Sequence, residues 1–512
     1  MMSNMVTGKQ NIPVFMQQNR PSEKIGRFFS KNLQKGLDSI TIVEFIIYQN
    51  EYGKKVCLQM EKNLTTGSVL KNLLFFSLPY LLSYFLQTLY GMADLFIIGQ
   101  FEGVASTTAV SIGSQVMHML TVMIVGLAMG ATVGIGRAVG GNDRRRAGKC
   151  IGNTVTLFMG LSLVLTALLL LLRTPIVSLM STPKEAVSGT VDYLTICFIG
   201  IPFITVYNII SSIFRGMGDS KSPMYFIAIA CAANIGLDYL FMGVFRLGPA
   251  GAALGTTLSQ AISVIVSLVV IRKQKHGIAL QKQDFRPQKD VMGEVLKTGV
   301  PIALQDGLIQ IAFIVITVIA NRRGLNDAAA VGIVEKVMSF LFLVPSSMLS
   351  AVSALGAQNI GAKKPERALS TLRYAVFITV GFGVVVALMM QFFAEPVVSV
   401  FTDTAAEGGT EVVRLGGQYL RGYVWDCIFA GIHFSFSGYF CACGKSFLSF
   451  LHNILAIAFV RVPGVYLTSK WFSDTLFPMG LATAAGSLLS VFICLFAFAV
   501  LRRRSELIEK ER

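Results

Sequence analysis

Residues 150–172 read CIGNTVTLFMGLSLVLTALLLLL, a run of 23 residues without a single charged side chain. About 20 apolar residues are enough for a helix to cross the hydrocarbon core of a bilayer. Comparable runs recur along nearly the whole chain of 512 residues, of which 53% are hydrophobic and only 14% charged. Soluble proteins carry about 25% charged residues. The sequence therefore predicts a polytopic membrane protein and excludes a soluble enzyme, a fibrous protein and a disordered one.

The apolar runs divide into twelve candidate spans. Nothing in the sequence alternates with period two over about ten residues, as the strands of a membrane barrel do. Helices satisfy their own backbone hydrogen bonds in lipid, so we expect an all-α integral membrane protein. The twelve spans lie at residues 70–98, 106–136, 150–172, 187–214, 223–245, 249–272, 291–320, 328–356, 369–393, 410–440, 447–469 and 478–501.

The positive charges predict how the chain is oriented. An even number of spans puts both termini on one side, and that side holds 34 of the 44 Lys and Arg against 9 on the other, with Lys336 inside a span. Short loops rich in Lys and Arg mark the cytoplasmic side. We therefore expect cytoplasmic termini in a bacterial inner membrane, and we assign the net charge of +16 to topology and not to nucleic-acid binding.

These assignments predict five parts of the chain. They are a disordered cytoplasmic tail at 1–65, an N-terminal lobe of six helices at 66–272, a cytoplasmic linker at 273–290, a C-terminal lobe of six helices at 291–501 and a cytoplasmic tail at 502–512.

Residues 1–59 form a polar, basic extension without the pattern of a signal peptide. An alternative to a cytoplasmic tail is that translation of the native protein begins at Met60.

The two halves of the chain repeat each other at an offset of 221 to 229 residues. Pro79 matches Pro301, Gly140–Ala147 matches Gly361–Ala368, and Pro249-x-Gly-x-Ala matches the same pattern from Pro478. Each half has six spans, so both halves enter the membrane from the same side and are related by an axis along the membrane normal. Two such lobes enclose a cleft, and rocking of the lobes would expose a site in the cleft to each side in turn.

Several carboxylates and amides lie inside the apolar spans. Ionisable groups are costly in the bilayer and usually face a cavity or a partner. Asn234 and Asp238 are four residues apart on one helix face, as are Asp306 and Gln310. The candidate site residues of the first half are Asp94, Asn208, Asn234 and Asp238, and those of the second half are Asp306, Gln310, Glu335, Asp426 and His433.

The chemistry of these groups fits a transported cation. Carboxylate and amide oxygens suit Na⁺, with Asp94, Asn234 and Asp238 as candidate ligands, whereas a buried carboxylate also suits proton exchange. We expect no cofactor besides such an ion. Pro79 removes a helix hydrogen bond and favours a kink in the first span.

Other conspicuous residues have simpler explanations. The eight Cys are scattered and fit neither a zinc site nor a disulfide framework. The glycines of 130–141 lack the pattern of a phosphate-binding loop. His118 and His452 are expected to be packed, hydrogen-bonded histidines, and so is His433 if it has no functional role.

The motifs together resemble the multidrug and toxic compound extrusion (MATE) family over about residues 65–500. The resemblance rests on Leu-Pro at 78–79 with Ala-Asp-Leu-Phe at 93–96, Phe-Arg-Gly-Met-Gly-Asp-Ser at 214–220, Asn-Ile-Gly-Leu-Asp at 234–238, Gly-Pro-x-Gly-Ala-Ala at 248–253 and Ala-Gln-Asn-Ile-Gly-Ala at 357–362.

This resemblance implies a V-shaped pair of lobes and a cation-coupled antiporter that expels amphipathic, often cationic, organic compounds in exchange for H⁺ or Na⁺. It places Asp94, Asn208, Asn234 and Asp238 at a first-lobe cation site and Asp426 in the second lobe. Pro79 would lie on a bending helix. One branch carries a Glu about a turn beyond Asp306, where this chain has Ile309 and Gln310. We expect a monomer.

Two other functions are alternatives. A flippase for lipid-linked precursors, from the same superfamily, would need a strongly cationic cavity, and the intramembrane charges of this chain are expected to be acidic apart from Lys336. An integral membrane enzyme would need its catalytic groups clustered near one interface, whereas these carboxylates are spread over five spans.

Overall fold

The computed structural model describes residues 63–273, 280–402 and 408–510, without the side chains of 272–273 and 504–510. Every regular element within these ranges is helical. The predictions for residues 1–59 lie outside the described residues. The all-helical class predicted from the apolar runs is confirmed.

The first lobe contains six long helices. Ser68 caps the first of them, because its hydroxyl accepts from the backbone N–H of Lys71 at 3.4 Å, and Asp143 caps the third in the same way through Arg146 N–H at 2.9 Å. The helices are α1 Val69–Phe101, α2 Val104–Gly140, α3 Arg144–Leu179, α4 Lys184–Gly216, α5 Lys221–Asp238 with a π-helical continuation Tyr239–Val244, and α6 Gly248–Lys273.

The second lobe repeats this plan with more breaks in its helices. After a short 3₁₀ turn, Lys282–Phe285, its elements are α7 Lys289–Asn321, α8 Leu325–Leu341, α9 Leu343–Gly361, α10 Pro365–Ser399, α11 Gly409–Tyr423, α12 Asp426–Ala442, α13 Ser446–Ala456 with a π-helical continuation Ile457–Arg461, α14 Val462–Trp471 and α15 Phe477–Lys510. Helices α8 and α9 together form one span, Leu325–Gly361.

Eleven of the twelve expected spans are long and apolar enough to cross a membrane. The tenth, expected at 410–440, is instead two shorter helices, α11 and α12, of 15 and 17 residues. Helix α11 is amphipathic and carries Arg414 and Arg421.

The internal repeat is visible in the turns as well as in the helices. Asn142 and Lys363 occupy matching positions after α2 and α9 and share a left-handed backbone, with φ of 56° and 57°. Gly218 and Gly444 likewise follow α4 and α12 with positive φ. The same backbone conformation recurs at these paired chain reversals, as expected for a duplicated unit.

The lobes pack against each other mainly through α2, which contacts α7 and α9. Glycines make this close approach possible, because a Cβ at Gly130 would collide with the backbone of Val295 and one at Gly299 with that of Leu127. Small residues let helices approach closely in this way.

The cleft between the lobes opens away from the side on which Asn63 and the end of α15 lie, which we call the terminal side. On the terminal side the lobes are joined by several hydrogen bonds, such as Gln358 Nε2 to Gly216 O at 3.0 Å. Tyr84 Oη and Ser350 Oγ meet at 2.8 Å near the middle of their spans. Among the described residues, no hydrogen bond joins the lobes beyond this pair toward the other side, so the V-shaped cleft opens there.

The described part of the inter-lobe linker is attached to α3. Arg145 forms an ion pair with the buried carboxylate of Asp284 at 3.0 Å, and Asn153 Nδ2 donates to Asp284 O at 3.0 Å. Gln288 N–H donates to Asn153 Oδ1 at 2.7 Å. These contacts fix the start of α7 against the terminal end of the first lobe.

Candidate functional site

Three helices of the first lobe bring two carboxylates together. Asp94 lies on α1 and is 2% exposed, and Asp238, at the end of α5, is fully buried. The two carboxyl groups and the Asn234 amide lie close enough for their charges and dipoles to interact, without a hydrogen bond between them. Thr256 on α6 donates to Asp94 Oδ2 at 3.1 Å. The structure thus brings together three of the four predicted first-lobe residues and adds Thr256.

Much of the hydrogen-bonding capacity of this cluster is unused. Asp94 Oδ1, both Asp238 oxygens and the Asn234 amide have no hydrogen-bond partner among the described residues. Two buried carboxylates in contact cannot both stay ionised without a compensating positive charge. A proton shared between them would provide it, and so would a monovalent cation.

The oxygen atoms present fit such a cation. Asp94, Asp238, Asn234 and Thr256 offer hard oxygen donors of the kind that alkali cations take. Within the described residues no group of three or more His, Cys, Asp or Glu could hold a metal ion. With two carboxylates, the site is suited to a singly charged ion or a proton.

The local sequence makes room for Asp238. Gly255 on α6 faces it, and a Cβ at position 255 would overlap the Asp238 carboxylate. Helix α5 also changes from α to π geometry directly after Asp238. Such a distortion is often found at functional sites. Sequence reasoning found the acids but missed Gly255 and Thr256, although Gly-Thr-Thr within an apolar span was a visible signal.

Asn208 and Pro79 lie away from the acid pair. Asn208 Nδ2 donates to Ile204 O of its own helix at 2.8 Å, and the side chain lines a cavity of about 10 Å³ beside Arg215. Pro79 is buried within a continuous α1, about four turns from Asp94. A role of Asn208 in cation binding and of Pro79 in bending stays a prediction.

In the second lobe Asp426 forms an ion pair with a buried arginine. Arg461 Nη2 lies 2.7 Å from Asp426 Oδ2 and 2.9 Å from Ser487 Oγ, and the two charged side chains are 10% and 0% exposed. From the sequence, the intramembrane charges were expected to be acidic apart from Lys336. That expectation was wrong, since Arg461 ends the π-helical segment inside the span and Arg215 is also buried.

Two histidines lie next to this ion pair. His452 Nε2 and Ser437 Oγ are 2.8 Å apart, and the ring centroids of His433 and His452 are 5.3 Å apart. Both rings are buried, so His452 is the packed, hydrogen-bonded histidine that was expected. His118 is not, because its side chain is exposed on α2.

The other second-lobe candidates occupy different places. Glu335 accepts from Thr317 Oγ1 at 3.1 Å and so is tied within its own lobe. Asp306 is half-buried and faces Gly126 of α2 where the lobes meet. Gln310, one turn further along α7, is also half-buried. The structure therefore does not gather the second-lobe candidates into one site.

A groove of about 510 Å³ lies elsewhere, on the outside of the second lobe. It is bounded by α7 and α14, with residues such as Val318, Val462 and Tyr466 on its walls, and Arg322 at its edge. None of the candidate carboxylates lines it. An apolar groove on a membrane-facing surface suits a lipid chain and does not mark the site.

The chain has two duplicated six-helix lobes with a cleft between them and a buried pair of acids in the first lobe. This architecture is typical of secondary transporters. The sequence model of the MatE family matches the chain twice, at residues 79–240 and 301–467. These two matches confirm the internal repeat. The chain belongs to the MatE family of multidrug and toxic compound extrusion transporters, as its motifs had indicated.

Curated relatives support the same conclusion. The chain is 28% identical over 411 residues to the probable multidrug resistance protein YoeA of Bacillus subtilis, covering 79% of this chain and 88% of the relative. It is 25% identical over 410 residues to the multidrug export protein MepA of Staphylococcus aureus, covering 80% and 89%.

Solved structures share the fold. A MATE protein crystallised in complex with MaL6 superposes with a TM-score of 0.80 at 22% identity, covering 88% of this chain and 99% of that one. An outward-facing multidrug resistance MATE transporter of the MOP superfamily also gives 0.80, at 21% identity and with 89% and 99% coverage. These structures show the fold, and the family match and the curated relatives show a multi-pass membrane transporter of the multidrug-efflux type.

Proposed function

We propose that this protein is a secondary antiporter that exports amphipathic, mostly cationic, organic compounds in exchange for H⁺ or Na⁺ by alternating access. The observation that carries the proposal is that Asp94 and Asp238 are buried close together and that three of their four carboxylate oxygens have no hydrogen-bond partner among the described residues. In a structural ion pair, a cationic side chain would lie beside these carboxylates, as Arg461 lies beside Asp426 in the second lobe. In the first lobe we assign the corresponding place, beside Asp94 and Asp238, to a mobile cation or proton.

Helix α1 links the ion to the lobe interface. Asp94 lies near one end of α1, and Tyr84, about 15 Å away along the helix, bonds Ser350 of the second lobe at 2.8 Å. Phe85 meets Phe340 of the second lobe with ring centroids 6.3 Å apart. Any movement of α1 that follows a change in charge at Asp94 therefore acts directly on these contacts between the lobes.

The direction of coupling follows from electrostatics. When both acids are ionised they repel, and α1 is pushed away from α5 and α6. When a cation or proton enters, the two side chains draw together, with Thr256 and Asn234 as additional partners. This movement of α1 toward α5 and α6 changes the wall of the cleft and weakens the binding of the substrate. Pro79, which lacks a backbone N–H, is the position where α1 would bend.

Asp306 is suited to a cationic substrate. It lies on α7 where the lobes meet, it is half-buried, and no ion pair or hydrogen bond engages its carboxylate among the described residues. A carboxylate in low-dielectric surroundings attracts an organic cation more strongly than it would in water. Gln310, one turn away on α7, would add a hydrogen-bonding group for the same ligand.

The proposal includes the orientation and the assembly. The excess of Lys and Arg on the terminal side supports cytoplasmic termini in the bacterial inner membrane, so the cleft described above would open outward. Both lobes come from one chain and enclose the cleft between them, which supports a functional monomer.

A flippase for lipid-linked precursors is the second candidate, and the buried arginines make it worth testing. Arg461 is neutralised by Asp426 inside the second lobe, so it adds no net charge to the cleft. Arg215 stacks on Tyr80 at 4.2 Å on the terminal side. An integral membrane enzyme is not supported, because the described carboxylates form no catalytic cluster at one interface.

Ethidium efflux from vesicles, with the Na⁺ and pH gradients imposed separately, tests the proposal. Wild type should expel ethidium under at least one gradient and should show no activity when neither is present. Asp94→Asn and Asp238→Asn should each lose ion-driven efflux while remaining folded in the membrane. Asp192→Asn, an exposed acid on α4, is the matched control and should behave as wild type. Unchanged efflux in both acid variants would refute the proposed coupling site.

A further inference from the structure

One face of α8 is exposed but does not have the composition of a lipid-facing surface. We call it the Lys336 face, and its residues are the exposed Ala329, Lys336 and Ser339 and the half-buried Gly332. The exposed residues of the neighbouring α7 include Val300, Leu304, Ile311 and Val318, which suit acyl chains. A lysine in mid-span surrounded by small and polar residues points to a water-filled space.

Contacts with the first lobe show which space this is. Phe340, one turn from Lys336 on the same side of α8, meets Phe85 of α1 with ring centroids 6.3 Å apart. Lys336 therefore lies just beyond this contact, on the side where the lobes diverge. The face is a wall of the cleft, and the Phe85–Phe340 contact lies at its floor.

The opposite wall carries a matching polar stripe. Ser111, Gln115 and His118 follow one another at helical spacing on α2, and all three are exposed. Lys336 lies near enough to His118 for its charge to reach the ring. The His118 side chain is exposed although protein surrounds it on most sides, as expected in a cleft.

Lys336 forms no ion pair with the described part of the chain. Among the described residues no carboxylate lies within 4.0 Å of its ammonium group. The adjacent Glu335 is hydrogen-bonded to Thr317 on α7 and points into its own lobe. Asp306 supplies a negative charge elsewhere in the cleft, so the cleft presents charges of both signs to a ligand.

We propose that Lys336, with His118 on the facing wall, forms an anion-binding subsite of the cleft that takes the carboxylate of an exported amphipathic compound. This inference rests on the proposed export function and adds a binding subsite to it. The carboxylate would lie between the ammonium group of Lys336 and a ring N–H of His118. The cationic, aromatic part of the same molecule would extend toward Asp306.

Two dyes that differ in one ester test the subsite. Rhodamine 110 carries a free carboxylate, and rhodamine 123 is its methyl ester. Binding to purified protein is measured by fluorescence anisotropy for wild type, Lys336→Met, Lys336→Arg and His118→Gln. We expect Lys336→Met to weaken rhodamine 110 binding about fivefold or more, the scale of one partly exposed charge pair. Rhodamine 123 binding should change less than about twofold, and Lys336→Arg should retain rhodamine 110 binding.

The outcomes separate this inference from the proposed function. The subsite would be overturned if Lys336→Met bound both dyes equally more weakly than wild type does. It would also be overturned if Lys336→Met bound both dyes as well as wild type does. Ion-driven efflux of rhodamine 123 that persists in Lys336→Met would leave the export function standing in any of these cases. Selective loss of rhodamine 110 binding without ion-driven efflux of either dye would support the subsite and overturn the export function.

Discussion

Arg137 and Gln358, 221 residues apart, make the same contact from opposite lobes. Arg137 Nη2 donates to the carbonyl oxygen of Ala442 at the end of α12 at 2.7 Å, and Gln358 Nε2 donates to that of Gly216 at the end of α4 at 3.0 Å. The two acceptors also occupy matching positions in the repeat. The lobes are therefore joined on the terminal side by a pair of equivalent bonds around the pseudo-two-fold axis.

Removing these bonds should favour opening on the terminal side. Each hydrogen bond contributes about 0.5–1.5 kcal/mol, and more when a charged group takes part, so Arg137→Met with Gln358→Met should shift the equilibrium about tenfold or more. Cys441 is a native reporter, because it is 1% exposed in the cluster shared by both lobes. With the other cysteines replaced, maleimide should label Cys441 faster in the double variant.

The matched control for the removal of these two hydrogen bonds is Arg421→Met. Arg421 pairs with Glu395 at 3.0 Å within the second lobe, away from the interface with the first lobe. It should leave the labelling rate of Cys441 unchanged. Equal labelling rates in the double variant and wild type would show that these bonds do not hold the terminal side closed.

A methyl group placed beside Asp238 should uncouple the transporter without touching the cleft. Gly255→Ala puts a Cβ where the Asp238 carboxylate lies, so the carboxylate must move away from Asp94. We expect ion-driven ethidium efflux to fall at least about tenfold, while ethidium binding in detergent stays near wild type. Gly236→Ala is the control, since a Cβ there meets nothing within 4 Å. Full efflux in Gly255→Ala would argue against a sterically defined acid pair.

The Asp426–Arg461 pair should matter for folding and not for coupling. Arg461→Met leaves a buried carboxylate without its partner, which typically costs about 3–5 kcal/mol. We expect a lower melting temperature in detergent and poor yield. Asp426→Leu with Arg461→Met removes both charges and should recover most of the stability. If that double variant is stable but has lost ion-driven efflux, Asp426 takes part in coupling after all.

The sequence predicted those parts of the fold that depend on local composition. Spans such as 150–172 follow from apolar length, and the duplication follows from matched positions such as Pro79 and Pro301. The split of the tenth span was not predicted, because the segment 410–440 was read as one apolar span. In the structure, α11 is amphipathic and too short to cross a membrane on its own, and the chain breaks between α11 and α12.

The site was only partly predictable. Asn234 and Asp238 share a helix face by their spacing, but contact of Asp94 with Asp238 depends on how α1, α5 and α6 pack. Arg461 was not expected to be a buried charge, because its carboxylate partner is 35 residues away in the sequence. His118 was expected to be packed because no local signal shows which side of a helix lines a cleft.

The most direct test of the coupling model measures the lobes while the ion changes. Spin labels at positions 179 and 325 report the open side, where both native leucines are more than 80% exposed, and labels at 221 and 366 report the terminal side. In wild type, adding the coupling cation or lowering the pH should shift the two distance distributions in opposite directions, and Asp94→Asn with Asp238→Asn should abolish both shifts. Distances that respond to the ion equally with and without these acids would contradict the account.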